Sequence, residues 1–354
     1  MIALNVGCGV AMNWIQTKTN LLRTFPLDRR YLIGVSGGRD SVALLHWLIN
    51  FGYRKLIVCH LNHQLRSRMS DADARFVQQL VERYNQEFVG QPPRLPGWRM
   101  DKRSARPTRK ADLHFERGAT NVRARAAKQK ISIETAARDS RYSFFAKVAK
   151  RRRCHTIFLA HHADDLVETF LINLFRGAGT TGLAAMRQMS TRRVDDVDLA
   201  IVRPLLGVWR KKIDNYVHEH GLKFREDASN KNLNPLRNRI RHRTIPYLEK
   251  ILGRNIRPAI WRAAAIAGEE EAWIDGQLLD TSDAELSVAK LRALPIALQR
   301  RAILKWLRAQ NIAKVGFDVI ERVRSLLERD ASIAKVNLPR DRHVRRRSGK
   351  IFVE

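Results

Sequence analysis

The chain has 354 residues, length enough for two or three domains, and its 44% hydrophobic content can build real cores. Lys and Arg total 66 against 35 Asp and Glu, a net charge of +31, which calls for an acidic partner and puts nucleic acid first. Three isolated cysteines (Cys8, Cys59 and Cys154) argue against a disulfide framework or a C-x-x-C pair, and no run of about 18 apolar residues offers a transmembrane helix.

The first residues are mildly apolar but lack a basic leading segment, so no secretory signal is expected, and Met12 is an alternative start to Met1. Isolated thiols fit a reducing, cytoplasmic setting. Residues 1–28 read as a preamble with a short helix around Asn13 to Arg23. The apolar run Tyr31 to Val35 is predicted as a buried strand, and Ser41 to Ile49 as a helix packed on the sheet. Between them lies Ser36-Gly37-Gly38-Arg39-Asp40-Ser41. Two glycines let the backbone turn sharply and approach a ligand. The following helix presents unpaired N–H groups and a partial positive charge to an anion. The arrangement is a phosphate cradle, although the Walker pattern is absent.

Arg54 to His60 reads as a second strand, one helical crossover later, which makes a parallel βαβ unit. Ligands of open parallel sheets bind beyond the carboxyl ends of the strands, so His60, Asn62, His63 and Arg66 are expected on the edge that carries the glycine loop. A helix is predicted from a Ser70 N-cap to about Asn85, with Asp71 and Asp73 as helix-start residues. Residues 90–112 mix Pro and Gly with dense Arg and Lys and read as a flexible basic insertion, either an RNA contact or a tolerated loop. Leu113 to Phe115 restarts a short strand.

From about Ser132 the spacing predicts a helix in which Arg138 and Arg141 share a face and Ala137, Phe144 and Val148 turn inward. Thr156 to Ala160 is another buried strand. Its end carries the second dense cluster, His161-His162-Ala163-Asp164-Asp165-Leu166-Val167-Glu168. Asp165 and Glu168 are three apart and face one side of the helix that follows. Two carboxylates that close call for a cation, a metal or an ammonium group, and no zinc motif matches. Thr180 to Met186 reads as a loop, Leu199 to Val202 as a last strand, and Trp209 to His220 as an amphipathic helix. Arg237, Arg239 and Arg241 alternate toward a boundary at Pro246. Helical spacing then runs to about residue 330, and a basic segment, 331–354, holds Arg345 and Arg346.

Ser-Gly-Gly-x-Asp-Ser between a strand and a helix resembles the pyrophosphate-binding loop of the ATP-pyrophosphatase superfamily, which cleaves ATP between its α and β phosphates. Other segments follow in the same order: His60 to Arg66, Ser70 to Val77, Glu134 to Tyr142, Ala160 to Thr169, Arg176 to Met186, Arg203 to Leu206 and Asp227 to Arg241. Together they resemble the tRNA(Ile)-lysidine synthetase family from about residue 30 to 246, more weakly beyond. The resemblance implies an open parallel sheet with helices on both faces, adenine nucleotide α-hydrolase-like and Rossmann-like. That catalytic domain would span 29–245. A mainly helical tRNA-binding domain at 246–330 and the C-terminal segment would follow.

The implied reaction joins free L-lysine to C2 of the wobble cytidine of an isoleucine tRNA with a CAU anticodon. ATP first adenylates the base oxygen, and the lysine amine then displaces AMP, so the codon read changes from AUG to AUA. Ser36, Gly37, Gly38, Arg39, Asp40 and Ser41 would bind ATP, with Cys59, His60 and Asn62 beside the adenine. Asp40 would hold Mg²⁺. Arg138 or Arg141 would neutralise developing charge, and His161 would touch the base or the AMP group. Asp165 and Glu168 would take the lysine ammonium. Arg66, Arg203, Arg237, Arg239, Arg241, Arg345 and Arg346 would meet tRNA. No membrane is implied, and the resemblance allows a homodimer. The insertion at 90–112 and the short tail depart from the family pattern.

Three rivals differ in what they require. A tRNA thiolase of the same superfamily usually needs paired cysteines. A small-molecule amidotransferase-type synthetase has no use for the +31 charge. A non-catalytic RNA-binding protein has no use for Asp40, Asp165 and Glu168 together.

Overall fold

A computed structural model describes residues 21, 23–64, 67–86, 111–225, 236–278, 284–312, 315–328, 334–339 and 341–354. Most of the expected preamble helix, Arg66, nearly all of the basic insertion and Glu226 to Asn230 lie outside the described residues. The chain divides into two compact units, Met1–Ala265 and Ile266–Glu354.

The first unit is an α/β sandwich. Its described elements run β1 (Tyr31–Gly34), α1 (Arg39–Asn50), β2 (Lys55–Asn62), α2 (Ser67–Gln86), β3 (Asp112–Ala119), α3 (Val122–Gln129), α4 (Ile133–Arg152) and β4 (Thr156–Phe158). Then come α5 (Ala163–Leu174), α6 (Thr180–Leu183), β5 (Met189–Val194), β6 (Val197–Val202), α7 (Arg210–Glu219), α8 (Leu236–Arg239), a π-helical turn (Ile240–Thr244) and α9 (Ile245–Leu252). Helix α10 (Arg257–Gly276) contains the division between the units.

The six strands lie in the order β3-β2-β1-β4-β6-β5. Five are parallel, and β5 runs antiparallel to β6 at the edge, so the open parallel sheet expected from sequence is present with one antiparallel edge strand. Side chains alternate between faces with a period of two. Ile33 and Val58 pack with Leu44, Leu48 and Val77 under α1 and α2, while Leu32 and Ile57 pack with Tyr142, Phe145 and Ile157 under α4. Both faces are thus covered by helices, which is why the central strands read as continuous apolar runs.

Local signals fix the helix starts. Ser132 caps α4 by accepting from Thr135 N at 3.1 Å, and Gly38 takes the extended N-cap conformation before α1. The inward face of α4 carries Ala136, Tyr142, Phe145 and Val148, so Phe145 rather than Phe144 is the core aromatic. Helix α2 begins at Ser67, and Ser70 therefore falls inside it. Asp71 and Asp73 reach across to other elements: Asp71 accepts from Asn62 and Arg117, Asp73 from Arg225.

The second unit joins β7 (Glu285–Ser287), α11 (Val288–Arg292), α12 (Ile296–Ala309), α13 (Phe317–Ser325), β8 (Lys335–Asn337), β9 (His343–Arg347) and β10 (Lys350–Val353). Its strands form a four-stranded antiparallel sheet, β7-β10-β9-β8. The basic tail segment is part of that sheet. It shares one core in which Trp306, Ile303 and Val323 pack with Val344 and Ile351. The basic C-terminal segment expected to follow a mainly helical domain supplies strands β8, β9 and β10 of this unit.

Candidate active site

The glycine loop leaves β1 at Gly34 and turns at Gly37, whose φ of +89° is a conformation that suits glycine. Two hydroxyls brace it. Ser41 Oγ donates to Gly38 O at 2.8 Å and accepts from Ser36 N at 3.2 Å. Ser36 Oγ accepts from Gly38 N at 3.3 Å. From outside, Arg225 N donates to Gly37 O at 3.0 Å. The loop is preset at the N-terminus of α1, where backbone donors and the helix dipole favour phosphate.

Asp40, in the first turn of α1, turns toward the end of β4. Its Oδ2 lies 3.7 Å from His162 Nε2, and its Oδ1 is a buried oxygen with no hydrogen-bond partner. A divalent cation bridging to phosphate is the chemistry that such an oxygen fits. Arg39 pairs with Asp214 at 2.7 Å and lies over Phe224, while its Nε stands 3.8 Å from Asp40 Oδ1.

The strand ends contribute unequally. His60 is 3% exposed and donates Nδ1–H to Val35 O at 2.9 Å, latching β2 to the start of the loop. Burial lowers its pKa. Asn62 bonds Asp71 and accepts from Gln64 N, and Cys59 sits in the core beneath α4 with its thiol pKa pushed up by burial. Of these three side chains, His60 keeps a buried Nε2 with no hydrogen-bond partner among the described residues.

Beyond β4, His162 forms the N-cap of α5 and is 1% exposed. Its Nε2 lies between Asp40 Oδ2 and Asp165 Oδ2 (3.6 Å), and its Nδ1 is 3.7 Å from Asp164 Oδ2. Asp164 accepts from Arg210 N at 2.9 Å and from Arg257 Nη1 at 2.9 Å, anchoring α7 and α10 to this corner. The sequence reading chose His161 and passed over His162 and Asp164. Only the extended N-cap geometry decides which of two adjacent histidines turns in among the carboxylates.

His161 is half-buried at the same strand end. Burial depresses its pKa to about 3, opposed by Asp165 and reinforced by Arg203, Arg141 and Arg237, so it is a neutral imidazole. Arg141 is half-buried near Arg138 and Arg237, and desolvation lowers its pKa. No carboxylate among the described residues pairs with it. Arg138 is exposed and lies 5.9 Å from the Tyr142 ring centroid. A neutral histidine beside Arg141, which has no carboxylate partner among the described residues, can receive an anion.

The carboxylate pair already has a cation. Arg241 donates Nε to Glu168 Oε1 at 2.6 Å and Nη2 to Glu168 Oε2 at 3.0 Å, and Nη2 also reaches Asp165 Oδ1 at 3.3 Å. Arg237 Nη2 donates to Thr169 Oγ1 at 2.7 Å, with its Nε 3.6 Å from Glu168. Burial raises the pKa of Glu168 against the pull of Arg241. Burial also acts to raise Asp165, but His162, His161 and Arg237 outweigh it and leave its pKa low.

Several arginines expected on RNA are committed elsewhere. Arg203 is 6% exposed and donates to Arg187 O and Ser190 Oγ. Arg346 donates to Leu326 O and Glu328 O, and Arg345 pairs with Glu354 at 2.8 Å. Arg239 is exposed.

Sheet order, braced glycine loop and carboxylate-bearing strand end define the class: a PP-loop nucleotide-binding protein. Residues 12–248 match the family model of the PP-loop domain, and residues 286–352 match that of the TilS substrate binding domain. The U34-tRNA thiolase of Methanococcus maripaludis, solved with its [4Fe-4S] cluster, shares the fold with a TM-score of 0.50 at 16% identity, over 72% of this chain and 80% of that one.

The sequence likeness is narrower. The chain is 33% identical to the tRNA(Ile)-lysidine synthase of Geobacter sulfurreducens, over 88% of this chain and 62% of that protein. It is 33% identical to that of Chlorobaculum tepidum over 85% of this chain and 83% of the relative. For Thermosynechococcus vestitus the figures are 30%, 94% and 88%. The chain belongs to the tRNA(Ile)-lysidine synthase family, whose members are tRNA-modifying ligases.

Proposed function

We propose that this protein ligates L-lysine to C2 of the wobble cytidine of the CAU-anticodon isoleucine tRNA, through a base adenylated by ATP. The observation that carries the reading is His162 Nε2, within 3.7 Å of Asp40 and 3.6 Å of Asp165. It joins the phosphate cradle and the carboxylate pair in one site, so an activating nucleotide and an attacking amine can meet. Family membership supports the tRNA substrate.

In this reading the loop Ser36 to Ser41 holds the pyrophosphate end of ATP. Asp40, whose Oδ1 accepts no hydrogen bond among the described residues, would hold Mg²⁺, which supplies charge neutralisation on the phosphates. The C2 oxygen of cytosine leaves poorly until AMP is attached to it. Neutral His161 and Arg141 would orient the adenylate phosphate and the base oxygen. Asp165 and Glu168 receive the lysine ammonium and take its proton as the amine attacks. Arg239 and the basic exposed surface meet tRNA phosphates. A homodimer belongs to the same reading and is checked by light scattering.

The test is direct. The protein is incubated with unmodified CAU-anticodon isoleucine tRNA, ATP, Mg²⁺ and labelled lysine. ATP-dependent label in the tRNA is expected. Sulfur incorporation from a donor with no lysine label would overturn the reading in favour of a thiolase.

A further inference from the structure

The carboxylates assigned above to lysine are bonded to a cation of the chain itself. Arg241 makes a two-point bond to Glu168 at 2.6 and 3.0 Å and a third contact to Asp165 at 3.3 Å. Glu168 is 1% exposed. A carboxylate that deep is stable in its charged form only with a partner. Burial works against the charge of Arg241, yet the bonds from Glu168 and the nearness of Asp165 and Asp40 hold its pKa above the usual value. Arg241 bonds both oxygens of Glu168 and Oδ1 of Asp165, so an ammonium that takes those oxygens must displace its guanidinium.

The backbone that carries Arg241 is also unusual. Ile240–Thr244 is a π-helical turn between α8 and α9, with Ile245 N donating to Ile240 O. Such turns are rare, poorer in hydrogen-bond geometry than the α-helix, and concentrated at functional sites. Conversion to an α turn shifts the register on one side by one residue, about 100° of rotation. Such a rotation would carry the Arg241 guanidinium off the carboxylates. Its neighbours Arg239, His242 and Arg243 are exposed, so the face it would turn toward is open and basic.

We propose that Arg241 is the resident occupant of the amine subsite, and that lysine binds by displacing its guanidinium from Glu168 and Asp165. The released guanidinium is then available to a phosphate of the RNA substrate. RNA that captures Arg241 frees the carboxylates, and lysine that fills them frees Arg241, so the two substrates favour each other's binding by the same factor. The pairing also sets a specificity rule. An occupant must bring its own positive charge to outcompete a guanidinium, which selects a side-chain amine over neutral amino acids. This inference rests on the lysine assignment made under the proposed function.

Lysine affinity is measured by calorimetry on the full chain with Mg²⁺ and a non-hydrolysable ATP analogue, with and without tRNA. In the wild type, tRNA is expected to tighten lysine binding about tenfold. Arg241→Gln is expected to bind lysine about tenfold more tightly than wild type without tRNA, and to gain nothing from tRNA. Arg241→Lys falls between them. Lysine affinity in folded Arg241→Gln that is equal to or weaker than wild type overturns the inference.

If Arg241→Gln fails to fold, hydrogen exchange on the wild type decides. Amides of residues 236–244 are expected to exchange faster when lysine saturates the site, and unchanged or slower exchange overturns the inference. A separate arm tests the reading beneath it. Lysine binding that survives in Arg241→Gln/Glu168→Gln places lysine elsewhere and removes the lysine assignment itself. Binding lost with Glu168→Gln but indifferent to Arg241→Gln leaves that assignment standing and removes only the displacement.

Discussion

His162 Nε2 lies 3.7 Å from Asp40 Oδ2, so the loop after β1 and the helix after β4 share one buried side chain. The imidazole borders both Asp40 and Asp165. A group in contact with a would-be metal carboxylate orients it, and loss of such outer partners typically costs 10–100-fold in activity or metal affinity. His162→Ala is therefore expected to lower turnover by roughly that factor. Lysine transfer at saturating ATP, measured beside the circular dichroism of the same variant, checks it. Full activity in a folded His162→Ala protein would remove the residue from the site.

Gly37 makes the sharp turn of the cradle at φ +89°, where a Cβ would meet Phe76 and Val77 at an ordinary 3.5 Å. Space is not the obstacle there. The obstacle is the backbone conformation, which costs an L-residue about 1–2 kcal/mol. Gly37→Ala is expected to lower stability by about that amount and to raise KM for ATP more than it lowers lysine affinity. Thermal melting and separate titrations of the two ligands read both effects. Equal weakening of both ligands would place the loop's role outside phosphate binding.

How much of this was legible beforehand depends on where each signal lives. Tyr31 to Val35 and Arg54 to His60 are central strands buried on both faces, so their apolar runs announce them. Met189–Val194 is an edge strand with alternating exposure and two arginines, and nothing apolar marks it. The second sheet hides for a related reason: β7 and β8 are three residues each, and β9 carries Arg345, Arg346 and Arg347. In the site, the glycine loop and the pair Asp165 and Glu168 are local in sequence and readable. The need for a cation there was readable too. Its identity was not, because Arg241 lies 73 positions from Glu168 and pairing across that gap is a property of the fold.

The second unit provides an independent check on the division of labour. Trp306 is fully buried at the centre of its core and donates Nε1–H to Ala284 O at 3.3 Å. Trp306→Ala leaves a large cavity and an unpaired carbonyl, a loss of about 3–5 kcal/mol. The match of residues 286–352 to a substrate-binding family puts the consequence on tRNA rather than ATP. Expected are a weakened tRNA complex in filter binding and an unchanged ATP affinity. A parallel loss of ATP binding would show that the two units do not act separately.

Acid should weaken the fold through its buried histidines. Burial, with His220 adding, lowers His46 from 6.5 to about 4, and burial with Arg141 and His60 lowers His63 to about 4. His46 sits against Tyr216 and Asn50 on the α1–α7 face, where an imidazolium would be poorly solvated. Both folded-state values lie below the unfolded one, so the unfolded chain binds more protons as pH falls. The stability from neutral burial is present above about 6.5 and is lost as pH falls toward about 4. Allowing for partial exposure, each histidine contributes on the order of 1–3 kcal/mol across that window. The melting temperature should therefore fall steadily from pH 7 to 4.5, and the slope should lessen in His46→Gln, whose amide can still bond Tyr216 without titrating. A flat profile over that range in the wild type would contradict the assignment of these rings as buried and neutral.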